Sequence, residues 1–243
     1  MTPATRVTSS PGLIVALDAA EYTEAESLVE RLAPLGVMFK VGLEALFGYG
    51  ERIRARLEHT PGGYFIDAKL HDIPRTVGAA VRTLVHPGVR IINVHALGGA
   101  AMMEAAVQAA ATRAEELEIE APEIFAVTIL TSIAPEDLRE LGLSGGPGEN
   151  AIRLAALARD ARCAGVICGA HEVAELKSFF GTEFATLVPG IRPAGAAHDD
   201  QKRAATPRDA AQAGADYLVV GRPITRAADP FEAAQSILAE MRT

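Results

Sequence analysis

Short apolar runs recur along the chain, separated by longer segments in which apolar residues return every three or four positions. Eight of the runs read as strands: Leu13–Leu17, Val37–Val41, Tyr64–Ala68, Ile91–His95, Ile124–Ile129, Gly165–Cys168, Thr186–Val188 and Tyr217–Val220. Several are apolar almost without a break, the pattern of strands buried on both faces. The intervening segments are amphipathic. Glu24–Leu35 sets Leu28, Leu32 and Leu35 on one helical face, and Ala100–Leu117 is rich in the helix formers Ala, Met and Glu. A further helix is predicted over Pro207–Ala213, with Thr206 as N-cap, Pro207 in the first turn and Gly214 as the stop.

Strand–helix alternation of this kind implies a parallel sheet. A closed barrel and an open doubly wound sheet both satisfy it. Eight units in 243 residues favour a single (β/α)8 TIM barrel, a fold that typically takes ~250 residues. The expected organisation is a polar N-terminal tail over residues 1–12 and one barrel domain over 13–243. The units are not copies of one another. Gly142–Gly148 reads as a flexible connector. The segment Gly190–Thr206 is longer than the other connections and reads either as a lid over a site or as a variable surface loop.

Composition changes this picture little. Hydrophobic residues make up 49% and charged residues 22%, as in an ordinary globular protein. No apolar run approaches the ~18 residues of a membrane span, and the polar start lacks a signal peptide's apolar stretch, so a cytoplasmic protein with no membrane partner is expected. The net charge of −8 argues against a nucleic-acid surface. It leaves room for an anionic small substrate, because a cleft can be locally positive on an acidic protein. Cys163 and Cys168 match no common zinc spacing and are expected to be buried thiols.

Chemistry enters at the strand ends. Active sites of α/β barrels form at the C-terminal ends of the strands. There the sequence places Asp18 after the first strand, Lys40 near the end of the second, Asp67 and Lys69 on the third, Asn93 and His95 on the fourth, Thr131 and Ser132 after the fifth, Pro189 to Arg192 after the seventh, and Gly221-Arg222 after the eighth. Residues two apart on a strand share a face, so Asp67 and Lys69 are expected to point together into the barrel mouth. Two buried charges need further partners; Lys40 and Asp72 supply an alternating array Lys40, Asp67, Lys69, Asp72. An ion-pair plug in the barrel is the bland alternative. Loops after the seventh and eighth strands commonly hold phosphate. Gly221 would let the backbone approach an anion, and Arg222 offers a planar, permanently charged fork.

The run Phe65-Ile66-Asp67-Ala68-Lys69-Leu70-His71-Asp72-Ile73-Pro74-Arg75-Thr76 resembles the signature of the orotidine 5'-monophosphate decarboxylase family. Ala16-Leu17-Asp18, Phe39-Lys40-Val41-Gly42, Val127–Ser132, Val188–Pro193, Asp200–Arg203 and Val220–Ile224 resemble that family in the same order. A bare D-x-K-x-x-D is shared with related sugar-phosphate decarboxylases; the extension through His71-Asp72-Ile73-Pro74 and the Gly-Ile-Arg-Pro segment narrow the likeness. The resemblance implies decarboxylation of orotidine 5'-monophosphate to UMP without metal or organic cofactor, with Lys69 as proton donor beside Asp67. It implies that Asp18 and Lys40 bind ribose hydroxyls and that Thr131 and Pro189 line the pyrimidine. Arg192, Gln201, Gly221 and Arg222 would surround the phosphate. It further implies a homodimer in which Asp72 and Thr76 enter the partner's site. Arg75 departs from the Asn of many members, at the implied subunit boundary, and Gly169 departs from Ser, near the base. His71 and His95 read as packing or interface residues; His59, His86, His171 and His198 read as surface residues. Two rivals stay open at this level: a metal-dependent sugar-phosphate decarboxylase or epimerase on the same barrel, and a catalytically silent nucleotide-binding barrel.

Overall fold

The computed structural model describes residues 11–193 and 205–242. Eight strands, β1 (Gly12–Ala16), β2 (Met38–Val41), β3 (Tyr64–Leu70), β4 (Val89–His95), β5 (Glu123–Val127), β6 (Gly165–Ile167), β7 (Ala185–Val188) and β8 (Tyr217–Val220), are all parallel and close in sequence order, β8 pairing back onto β1. The helices are α1 (Tyr22–Leu32), α2 (Leu43–Leu57), α3 (Pro74–Leu84), α4 (Ala100–Glu116), α5 (Pro135–Glu140), α6 (Pro147–Asp160), α7 (Val173–Phe180), α8 (Pro207–Gln212), α9 (Arg222–Thr225) and α10 (Pro230–Glu240). The closed barrel, rather than the open sheet, is the observed solution.

Alternation along each strand divides the core in two. Ile14, Phe65, Ile91, Phe125, Ile167, Leu187 and Val219 turn inward and fill the barrel. Their neighbours Val15, Ile66, Ile92, Ala126, Val166, Val188 and Val220 turn outward under the helices. Each fully buried side chain of this size contributes about 1.5–3 kcal/mol, so both layers are needed to hold the wall. Inside, the Phe125 and Tyr217 rings meet edge to face with centroids 6.1 Å apart. The inward parity matters for function. Continued past the apolar layers, it brings Asp18, Lys40, Asp67, Asn93, Pro189 and Gly221 to the open end.

Local expectations are largely met, with physical reasons for the differences. In α1, Leu28 and Leu32 are buried, while Leu35 falls in a following 3-10 turn. The Thr206 hydroxyl accepts the Asp209 N–H at 3.1 Å, and Gly214 ends the element at φ +93°. Gly12 belongs to β1 and not to the tail. It lies so close under Tyr217 that a Cβ there would come within 2.9 Å of the ring. Residues 1–10 of the expected tail lie outside the described residues. The glycine-rich stretch is only partly a connector, since Pro147 and Gly148 open α6 and the Glu149 carboxylate accepts the Gly146 N–H at 2.9 Å. Both cysteines are buried and neither forms a disulfide among the described residues, and burial pushes the Cys163 thiol up to about 12. His86 is half-buried rather than a surface residue, and burial, with Arg54 nearby, lowers its pKa. Among the described residues no helix is long and apolar enough to cross a membrane.

Closure tolerates no bulk at β6. A Cβ on Gly165 would stand 2.2 Å from the Ala185 carbonyl oxygen of β7. Gly165→Ala is therefore expected to lower stability by about 1–3 kcal/mol, the usual cost of overpacking. Thermal unfolding checks this, and an unchanged midpoint would show that the two strands can part.

Candidate active site

The open end of the barrel holds a cavity of about 540 Å³. Of the residues singled out from sequence, Asp18, Lys40, Asp67, Lys69, Thr131, Pro189, Arg192, Gly221 and Arg222 all line it. They come from six of the eight strand ends, and only closure brings them together.

Asp67 is the centre. The residue is 7% exposed, and its carboxylate accepts from three groups. The Lys69 ammonium donates to Oδ1 at 2.6 Å, Asn93 Nδ2 donates to the same oxygen at 2.7 Å, and Lys40 Nζ stands 3.1 Å from Oδ2. Lys40 also donates to Asp18 at 3.2 Å. Charge thus alternates Asp18, Lys40, Asp67, Lys69, and the net over these four is zero. Burial works to raise the Asp67 pKa, but Lys40, then Lys69 and the two hydrogen bonds outweigh it and hold the carboxyl below the ordinary carboxylate range. Burial likewise works to lower Lys40, and Asp67 and Asp18 more than reverse it. Both groups are therefore charged near neutral pH. A buried pair of this kind needs its extra hydrogen bonds to offset desolvation.

The strand between these charges is irregular. Ile66 pairs with Ile92 and Leu70 with Val94, so Asp67, Ala68 and Lys69 stand opposite the single residue Asn93. Lys69 takes up the excess at φ +48°, a left-handed conformation that side-chain-bearing residues seldom adopt. Its N–H, deprived of a ladder partner, donates to Asn93 Oδ1 at 2.7 Å. The strand period foresaw that Asp67 and Lys69 would share a face, but the contact is made through this bulge rather than through a regular strand.

The rim opposite β3 in the closed ring belongs to β7 and its neighbour β8. Gly190 there adopts φ +78°. Arg192 is buried, its guanidinium donating to the Ile191 carbonyl at 3.0 Å. Ile191 bridges to Ala205, and the Arg192 N–H donates to the Ala205 carbonyl at 2.9 Å, which ties the two ends of the long segment beside the cavity. At Gly221 a Cβ would meet protein atoms only at 3.5 Å and beyond, in ordinary contact. Its lack of a side chain therefore serves the open space of the cavity and not the packing of the wall. Gly42 is the reverse case. A Cβ there would stand 3.0 Å from Lys40 Nζ and 3.4 Å from Asp18 Oδ1.

Two expected members lie elsewhere. Asp72 does not join Lys40, Asp67 and Lys69 within one chain; it is exposed, and its carboxylate accepts the Ile73 N–H at 2.6 Å just before α3. Thr76 is exposed on the first turn of α3. Gln201 lies outside the described residues, as do His198 and most of the expected lid. Gly169 sits where its N–H donates to the buried Glu172 carboxylate at 2.7 Å. The His71 and His95 rings lie 5.5 Å apart at a tilt of 33°, and His95 Nδ1 is buried with no hydrogen-bond partner among the described residues. Sequence reasoning gave no role to Asn93, Glu44 or Arg226, all of which stand at the charged array or in the cavity lining. For Asn93 the signal was an amide in an apolar run at the inward parity of Ile91. Among the described residues no group of three or more His, Cys, Asp or Glu is placed to hold a metal ion.

Residues 11–237 match the Orotidine 5'-phosphate decarboxylase / HUMPS family. The chain is 45% identical over 237 residues to an orotidine 5'-phosphate decarboxylase of Moorella thermoacetica, covering 97% of this chain and 94% of that one. It is 44% identical over 231 residues to one of Saccharophagus degradans, covering 95% of each. A crystal structure of orotidine 5'-phosphate decarboxylase from Lactobacillus acidophilus superposes with a TM-score of 0.84 at 34% identity, covering 96% of this chain and 100% of that one.

Two outcomes are expected at the array. Gly42→Ala should lower turnover of the site's substrate by displacing the Lys40 ammonium, while the unfolding midpoint moves little; a loss of stability without loss of rate would contradict it. Asp67→Asn leaves two cations facing a neutral amide and should cost about 3 kcal/mol of stability at neutral pH. The Asp67 pKa is lowered by folding, so its contribution is full above the unfolded value of about 3.9 and is lost as pH falls through the folded value. The stability gap between wild type and Asp67→Asn should therefore close in acid, which urea titrations at neutral and acid pH would measure.

Proposed function

The chain belongs to the orotidine 5'-phosphate decarboxylase / HUMPS family, and from that premise we propose that it converts orotidine 5'-monophosphate to UMP and carbon dioxide, a step of pyrimidine biosynthesis, without metal or organic cofactor. The observation that carries the proposal is the alternation Asp18, Lys40, Asp67, Lys69, with Lys40 and Asp67 buried at its centre, at one side of a cavity whose other side presents Arg192 and Arg222. The relatives at 43–45% identity, all named orotidine 5'-phosphate decarboxylase, support it.

The chemistry breaks the bond from C6 of the pyrimidine to its carboxylate. The electron pair stays on C6, and the ring offers it no sink. Lys69 answers this need by holding a fixed cation where negative charge grows and then giving C6 a proton. Asp67 holds that ammonium in place. It also stands where the leaving carboxylate is crowded; at ~4 Å and an effective dielectric of ~20, two like charges repel by about 4 kcal/mol. That is a part of a barrier of this kind and not the whole, so preorganised charge is the larger contribution. Asp18 and Lys40 take the ribose hydroxyls. Thr131 and Pro189 line the base. Arg192, Arg222, the open backbone at Gly221 and, from the long segment, Gln201 take the phosphate. Binding energy from that distant phosphate serves to organise the reacting end.

A cytoplasmic homodimer is part of the proposal, with Asp72 and Thr76 delivered to the partner's site. Its support is the surface beside Asp72. Ile73 is 62% exposed and Leu97 43%, large apolar side chains left uncovered on one chain. Gly98 lies against the His71 ring, so the two segments adjoin.

Lys69→Ala should abolish the loss of orotidine monophosphate absorbance while UMP binding by calorimetry stays largely intact; near-normal turnover would remove Lys69 as proton donor. Wild-type activity should survive exhaustive chelation, and its loss would favour a metal-dependent enzyme. UMP binding with no turnover by the wild type would favour a silent barrel. Mixing inactive Lys69→Ala and Asp72→Ala chains should restore part of the activity, because one hybrid site carries neither lesion. No recovery after demonstrated subunit exchange would count against the crossing.

A further inference from the structure

We propose that Asn93 is a positioning residue for the reaction: its side-chain amide sets both the Asp67 carboxylate and the backbone of Lys69, and so aims the Lys69 ammonium. The inference rests on the proposed decarboxylation and extends it to a residue that touches no reacting atom.

The geometry is specific to an amide. Asn93 is fully buried, on β4, opposite the bulge of β3. Its Oδ1 accepts the Lys69 N–H at 2.7 Å, and its Nδ2 donates to Asp67 Oδ1 at 2.7 Å. The amide's orientation follows from its partners, since a backbone N–H can only donate and an ionised carboxylate can only accept. No other short side chain offers one donor and one acceptor at this spacing. Aspartate offers acceptors alone, and serine is too short to span both.

Each half of the contact has a job. The acceptor half replaces the ladder bond that the bulge removes, and so holds Lys69 in the left-handed conformation it would otherwise leave. That conformation sends the side chain back onto the residue two places earlier, where Nζ meets Asp67 at 2.6 Å. The donor half occupies the same carboxylate oxygen that receives Nζ, so Asp67 cannot rotate away without losing both donors. One neutral group thus couples a strained backbone to the direction of a charge. An amide performs this without adding charge to an array that is already balanced.

Three variants test it, with kcat read at saturating orotidine monophosphate so that phosphate affinity drops out. Asn93→Ala removes both halves and should lower kcat about 10- to 100-fold or more, the worth of a charge-assisted hydrogen bond, with KM little changed. Asn93→Asp keeps the shape and the acceptor but sets a second carboxylate against Asp67. Two carboxylates sharing a site raise one pKa strongly, and the protonated form can again donate to Asp67. Its kcat should therefore rise as pH falls from about 8 to about 5, while that of the wild type does not. Asn93→Gln keeps both functions on a longer arm and should recover more rate than Asn93→Ala. Wild-type kcat in Asn93→Ala, or an Asn93→Asp profile parallel to wild type, would overturn the assignment.

The structure of substrate-free Asn93→Ala separates this inference from the proposed reaction. Lys69 should there relax to negative φ, with Nζ drawn out of contact with Asp67. An unchanged Lys69 would overturn the positioning role whatever the enzyme's substrate. Absence of orotidine monophosphate turnover in the wild type would instead overturn the reaction and leave the structural readout standing.

Discussion

Everything at the open end of this barrel answers to one buried carboxylate. Asp67 has left water almost completely, and its charge is tolerable only because two ammonium groups and an amide surround it. Each partner is in turn constrained. Lys40 is shared with Asp18, and a Cβ at Gly42 would stand 3.0 Å from its Nζ and press on it. Lys69 reaches its place through a bulged, left-handed turn of backbone. Asn93 comes from the next strand and spans the bulge. Removing any one partner leaves a charge or a polar group in a cavity that cannot solvate it well, so the cluster is held together by the cost of its alternatives.

The barrel supplies what such a cluster requires. Charges that must stay apart from water and close to one another need rigid mounts, and strands packed on both faces are the stiffest the fold offers. Inward side chains below the cluster, Ile14, Phe65, Ile91, Ile167, Leu187 and Val219 among them, plug the barrel beneath it. Polar groups can gather only above this plug, where the strand parity continues into the loops. The same arrangement separates tasks around the ring. The ion network occupies the ends of β1 to β4, and the guanidinium-bearing loops follow β7 and β8. On the proposed reaction, this spacing divides binding energy from chemistry, one end gripping the phosphate and the other stabilising the charge that develops at carbon.

Asp72 stands apart from the array within one chain. In sequence it completes the alternation of charge, yet the tight turn into α3 carries it to the surface, with its carboxylate turned onto the next N–H. A neighbouring chain that covered Ile73 and Leu97 would bury the segment that bears it. The cluster of Asp18, Lys40, Asp67 and Lys69 is electrically balanced without Asp72.

By itself the sequence determined the strand count, the strand positions and the candidate chemistry. These follow from local rules, because apolar runs, helical periodicity and the position of polar residues after each run are all written within a few residues of one another. Asp67, Lys69, Lys40, Arg192 and Arg222 could be singled out in that way. The tertiary structure decided closure of the sheet, the bulge at Lys69, the failure of Asp72 to join the array within one chain, and the part of Asn93. None of these is local. A bulge exists only relative to the register of the neighbouring strand. Asn93, as one amide in an apolar run, acquires its meaning only when β4 is laid against β3. A strand period can say that two side chains share a face, but only the pairing of strands can say what holds them there.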